Sequence, residues 1–195
     1  MEEGLEALLR ELEAFGAEND ARAVERRDKM LNITRDTGAF LSLLVQALAA
    51  GRVLEIGTSN GYSTLWLAQA VERTGGRVTT LEVLEHKAAM AEANFARSGL
   101  RERIRLLRGD AGQHLATQPD GAHDFIFLDA DRGRYAGWWP DLTRVLAPGG
   151  LIVVDNAISH AAELEDFRAV VEGTPGFVTS LMPVGKGEWL VLKQR

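Results

Sequence analysis

The chain has 195 residues, 46% of them hydrophobic and 26% charged, a formal net charge of -6 and no cysteine. That length suits one domain with a single substantial core, 1–195, and the acidic balance argues against a broad electrostatic grip on nucleic acid. Zero cysteines exclude disulfides, thiolate metal sites and thiol nucleophiles, so chemistry must come from carboxylates, histidines, hydroxyls, a metal or a bound cofactor.

The first fifty residues read as helices. Leu5, Leu8, Leu9, Leu12 and Phe15 recur at helical spacing, as do Phe40, Leu43, Leu44, Ala47 and Leu48 before Gly51. The opening stretch is acidic and lacks the basic start and apolar middle of a signal peptide, and no apolar run reaches the roughly 18 residues of a membrane span, so a cytoplasmic protein is expected. Its acidic face is expected to pack over a cofactor or another subunit, not on anionic lipid. Short apolar runs then appear at 52–57, 77–83, 104–110, 124–129 and 150–156, separated by segments of helical length. Runs apolar on both faces, alternating with helices, predict an α/β fold: a parallel sheet with helices on both faces. The tail differs, because runs at 177–184 and 188–193 are separated only by Gly185, Lys186 and Gly187. So short a link joins antiparallel strands, which predicts a seven-stranded, mostly parallel sheet with an antiparallel last strand.

Ligands of such a sheet bind beyond the carboxyl ends of its strands. The first strand closes on Glu55-Ile56-Gly57 and passes through Thr58 and Gly61 into a helix near Ser63. The spacing is G-x-x-x-G behind a carboxylate, not the G-x-G-x-x-G of a pyrophosphate loop, and it favours a cationic ligand. Glu82, about 25 residues beyond Gly57, closes the second strand where an acid accepts hydrogen bonds from ribose hydroxyls. Asp110, Asp129 and Asp155 close the next three strands, and carboxylates gathered on one edge repel unless a cation lies among them. A cationic cofactor and a metal would both serve.

VLEIGTSNGYS (53–63), FLDADRGRY (127–135) and VVDNA (153–157) together resemble the S-adenosylmethionine-dependent O-methyltransferases of the catechol and caffeoyl-coenzyme A type, over nearly the whole chain. The resemblance implies a Rossmann-like class I methyltransferase fold. It places the cofactor near the backbone of Ile33. Glu55, Gly57, Thr58 and Ser63 would hold its methionine portion and Glu82 its ribose, while Asp110 and Ala111 would flank the adenine and Asp129 and Asp131 lie toward the cofactor's polar end. It also implies that Asp129, Asp155 and Asn156 bind a divalent cation, magnesium by family habit, which suits an all-oxygen set. The acceptor would be a small catechol-like hydroxyl compound, and a homodimer is expected. Alternatives keep the cofactor and change the acceptor to RNA, protein or a nitrogen nucleophile, or retain binding without efficient catalysis.

The sequence departs from that family at Arg132, where a lysine general base is usual. An arginine stays protonated and cannot accept the substrate proton, although it can hold an anionic oxygen. None of the four lysines, Lys29, Lys87, Lys186 and Lys193, stands in a motif beside the proposed metal. His160, four residues after Asn156, is the candidate proton acceptor, with plain metal coordination as its alternative. His114 and His123 are expected to be structural. Only about twenty residues separate Asn156 from the strand at Phe177, which predicts a more open acceptor site than the longer caffeoyl-coenzyme A enzymes have.

Overall fold

A computed structural model of the protein describes residues 3–195. The β-rich runs fold into β1 (Arg52–Ile56), β2 (Arg77–Glu82), β3 (Ile104–Arg108), β4 (His123–Leu128), β5 (Leu146–Val154), β6 (Phe177–Met182) and β7 (Glu188–Lys193). They form one sheet in the order β3-β2-β1-β4-β5-β7-β6. β1 to β5 are parallel, and β7 runs antiparallel to both of its neighbours. The expected strands hold, with their last residues released into loops. Those released residues include Gly57, Asp129 and Asp155, so the candidate acids stand just beyond the ladder.

Side chains alternate across the strands and feed two cores, one on each face. Val53, Phe125, Phe127 and Val153 pack under α1 (Glu3–Arg22), α2 (Arg35–Ala47) and α3 (Tyr62–Thr74), with Phe95 from α4 (Glu85–Arg97). Leu54, Ile126, Leu128 and Ile152 face α5 (Ala111–Thr117), α6 (Tyr135–Val145) and α7 (Glu165–Glu172). Each fully buried Leu or Phe stabilises the fold by about 1.5–3 kcal/mol relative to exposure. Trp139 belongs to this second core, flanked by Phe167 and Phe177.

Both N-terminal helices form, and the placement of the first over a cofactor is corrected. α1 buries Leu5, Leu8, Leu9 and Leu12 against the body of the fold and is tied down by Arg35 to Glu6 and Glu13 and by Arg97 to Glu11. It packs against α3, not over a ligand cavity. α2 buries Thr37, Gly38, Leu41, Ser42 and Val45, and in its apolar stripe Leu43 is 60% exposed. The rotation is fixed at its first turn, where Thr34 caps Thr37 and the Thr37 hydroxyl donates to buried Glu188 at 3.0 Å. The arginines around β3 pair with helix α4, Arg108 with Glu85 and Glu92 and Arg101 with Glu92, and so form a neutralised edge. Among the described residues no helix is long and apolar enough to cross a membrane.

Candidate active site

Strand order reverses between β1 and β4, the point where an open α/β sheet leaves a crevice. A cavity of about 1000 Å³ opens there. Ladder contacts bring its floor together: Asp129 N–H donates to the Ile56 carbonyl at 3.0 Å, and Asp155 N–H to the Leu128 carbonyl at 3.1 Å. Gly57 has φ 106°, and a Cβ on it would stand 2.0 Å from the Asp129 carbonyl oxygen. Only glycine lets these two loops touch.

On the β1–β3 side, Gly57, Glu82, Asp110 and Ala111 line the cavity, together with Trp138. The Glu82 carboxylate is aimed by three backbone N–H donors: Ser59 at 2.8 Å, Val83 at 3.0 Å and Leu84 at 2.9 Å. Asp110 caps α5 through the Gln113 N–H and pairs with Arg134, which lies over the Trp138 ring. Glu55, Thr58 and Ser63 stand behind the wall, not in it. Fully buried, the Glu55 carboxylate accepts from Ser63 at 2.6 Å, Thr80 at 2.6 Å and the Thr64 hydroxyl, while Thr58 bonds Thr80. Burial pushes the Glu55 pKa up to about 7 against the pull of those hydroxyls. These side-chain bonds are internal, and none of the three residues lines the cavity. The Ile33 side chain is core, and its neighbours Met30 and Leu31 line the cavity.

On the β4–β5 side, Asp129, Asp131, Arg132, Asn156 and His160 line the cavity. The Asn156 amide nitrogen lies 3.4 Å from Asp129 Oδ1 and also bonds the Asp155 carboxylate. Burial, then the charges of Asp155 and Glu55, hold the Asp129 carboxyl well above the usual range, with Arg132 and Lys186 acting in the opposite sense. Behind them lies a residue that sequence reasoning missed. Glu188 is fully buried beside Asp155, and burial and that neighbour raise its pKa so far that it is held as the acid. Its one sequence signal is a charge opening an otherwise apolar strand. Among the described residues no group of three His, Cys, Asp or Glu gathers as a metal cluster. The donors here are two carboxylates and an amide. Carboxylates that repel one another beside a polar amide fit a hard cation, whose charge would relieve them.

Arg132 is buried and donates from Nε to Glu163 at 2.8 Å. It is thus held in an ion pair and not free to accept a proton. Tyr135, in the next turn, accepts the Ala130 N–H at 2.6 Å and braces the loop after Asp129. His160 accepts or donates at Nδ1 to Ser159, 2.8 Å away. His123 is buried, and desolvation lowers its pKa to about 4; it is a neutral structural residue, as expected. The lysine expectation is corrected: Lys186 lines the cavity, brought there by the turn between β6 and β7. That approach joins residues thirty apart and leaves no local signal.

A protein-family model described as O-methyltransferase matches residues 5–174. The chain belongs to the S-adenosylmethionine-dependent O-methyltransferase family. This O-methyltransferase is 35% identical to a catechol O-methyltransferase of Mycobacterium tuberculosis over 91% of its own length and 84% of that protein. It is 37% identical to a catechol O-methyltransferase of Niastella koreensis over 70% and 62% of the two chains. Among solved structures, the O-methyltransferase from Bacillus cereus in complex with SAH is 28% identical, with a TM-score of 0.77 and coverage of 100% and 92%. The family, the enzyme class and the fold expected from the three motifs therefore stand.

Proposed function

We propose that this enzyme transfers the methyl group of S-adenosylmethionine to a hydroxyl of a small catechol-like acceptor, assisted by a divalent cation. The observation that carries the reading is the shared cavity: an aimed ribose-type carboxylate and an aromatic wall on one side, and Asp129 and Asn156 on the other, with buried Asp155 bonded directly behind them. Two relatives named catechol O-methyltransferases and a neighbour crystallised with SAH support it. Glu82 would accept the ribose hydroxyls, Ala111 and Trp138 would enclose the adenine, and Gly57 would let the sulfonium end approach the backbone of β4.

Asp129, Asp155 and Asn156 would hold the cation, magnesium by preference for oxygen donors. When bound, the cation supplies charge that eases loss of the hydroxyl proton. The remaining work belongs to side chains. Asp129 would keep a negative group near the sulfonium, Arg132 would lend fixed positive charge to the developing oxyanion, and His160 would take the proton. Transfer needs alignment of an oxygen, a methyl group and sulfur in one line, which the fused loops at Gly57 and Asp129 provide. Incubation with S-adenosylmethionine, catechol and magnesium should yield monomethylated catechol and S-adenosylhomocysteine, with loss of turnover on chelation. No methylated product from any hydroxyaryl acceptor would overturn the reading. A binding protein without turnover is the second reading, favoured by the ion-paired Arg132, and would show S-adenosylhomocysteine affinity alone. The exposed α2 stripe around Leu43 and Leu48 is proposed as the contact for a second copy in a homodimer.

A further inference from the structure

Two of the four arginines lining the cavity are spent in pairs: Arg132 on Glu163 and Arg134 on Asp110. Five other cations line the same cavity: Arg26, Arg27, Lys29, Lys87 and Lys186, of which Lys87 donates to the Lys29 carbonyl at 2.6 Å. Among the described residues the side chains of the other four have no carboxylate within 4 Å and no hydrogen bond, although the protein carries a net charge of -6, and of these Arg26 and Lys186 lie toward the acceptor side. The charge of Arg26 acts on Glu163, and the charge of Lys186 acts on Asp129.

Lys186 is not on a loose loop. The Ala157 N–H donates to the Gly187 carbonyl at 2.8 Å, and the Ile158 and Ser159 N–H groups donate to the Lys186 carbonyl at 3.2 and 3.0 Å. On either side the fit leaves no room: a Cβ on Gly185 would stand 2.2 Å from the Thr37 hydroxyl, and one on Gly187 2.6 Å from the Ile158 nitrogen. Both glycines have positive φ, 56° and 98°. The turn is wedged between the start of α2 and the loop that follows Asn156, and that wedge fixes where the Lys186 side chain begins. An ammonium on a fixed turn and unpaired guanidinium groups lining the same cavity leave positive charge there for an anion to meet. Glu163, on which Arg26 acts, is already held by Arg132.

We infer that the natural acceptor bears a carboxylate in addition to the hydroxyl that is methylated, and that Lys186 with Arg26 binds it. This deepens the proposed reaction and rests on it: the hydroxyl loses its proton to base, the oxygen takes the methyl group and sulfur keeps the bonding electron pair, while the carboxylate is unchanged. Lys186 is then a specificity residue of the acceptor pocket. Neutral catechols meet the same cavity without that anchor.

The test compares 3,4-dihydroxybenzoate, catechol and 3,4-dihydroxyphenethylamine as acceptors for the magnesium-loaded enzyme. The expected order of kcat/KM is carboxylate, neutral, cation, with about tenfold between the first two, carried in KM, as two partly exposed ion pairs allow. K186M should shrink that preference to about twofold, K186R should retain most of it, and R26M should lie between. Calorimetric titration of dihydroxybenzoate into the S-adenosylhomocysteine complex should show the same ranking, weakening with added salt. Equal use of carboxylate and neutral acceptors, or a preference unchanged in K186M of wild-type melting temperature, overturns the inference and leaves the methyltransferase reading standing. Absence of methylation on all three acceptors overturns both.

Discussion

The two sides of the cavity are built by opposite means. On the β1–β3 side every acid is committed: Glu82 to three backbone N–H groups, Asp110 to a helix cap and an arginine, Glu55 to three hydroxyls. On the β4–β5 side charges outnumber partners. Asp129 and Asp155 press on one another, Glu188 retains its proton beside them, and Arg26, Arg27 and Lys186 have no carboxylate among the described residues. A side satisfied from within presents a fixed shape to a constant ligand. A side left unsatisfied gains most from what it binds, which is where cation and acceptor enter.

Removing a charge from the strained side should cost the most activity and the least stability. D129N is expected to lower kcat/KM by about 10³-fold, in the range seen when a group that stabilises charge at the reacting centre is lost. The same variant should melt higher than wild type without magnesium, because repulsion from Asp155 is relieved. A lower melting temperature in metal-free buffer would break the contrast.

H160A should reduce kcat by about 10²-fold and flatten its rise with pH if His160 accepts the proton. Unchanged turnover across pH would assign proton removal to the cation alone. On the satisfied side, Glu55 predicts a stability effect instead. Its folded pKa of about 7 exceeds the usual 4.5, so its contribution is full below pH 4.5 and is lost as pH rises through 7. The loss amounts to about 3 kcal/mol, and E55Q should abolish that slope in denaturant titrations at pH 5 and 8. The smallest effect is on assembly. L43E should leave the unfolding free energy of the subunit within about 0.5 kcal/mol of wild type, as surface changes do, while sedimentation shows dimers converted to monomers.

The same contrast explains how much could be read beforehand. Gly57, Glu82, Asp110, Asp129 and Asp155 were legible because each closes a strand, and strand ends follow from local apolar runs. Their convergence follows from parallel topology alone. Lys186, Glu188 and Arg26 were not, since each reaches the site by a long-range path: a hairpin that doubles back beside β5, and a turn after α1. The inward face of α2 was hidden for a related reason. Its strongest apolar stripe is the exposed one, and a hydroxyl bond from Thr37 to a buried acid sets the rotation. Glu55 shows the limit from the other direction, for its place in a binding motif did not reveal that three hydroxyls had already claimed it.

The absent side chain at Gly57 has one more consequence. With the Asp129 carbonyl against its backbone, the donor and acceptor loops are separated by no adjustable spacer. Substrate range can drift through the hairpin turn and the segment after α1 without altering the reaction distance, which is set once, by main chain, for every acceptor the pocket comes to admit.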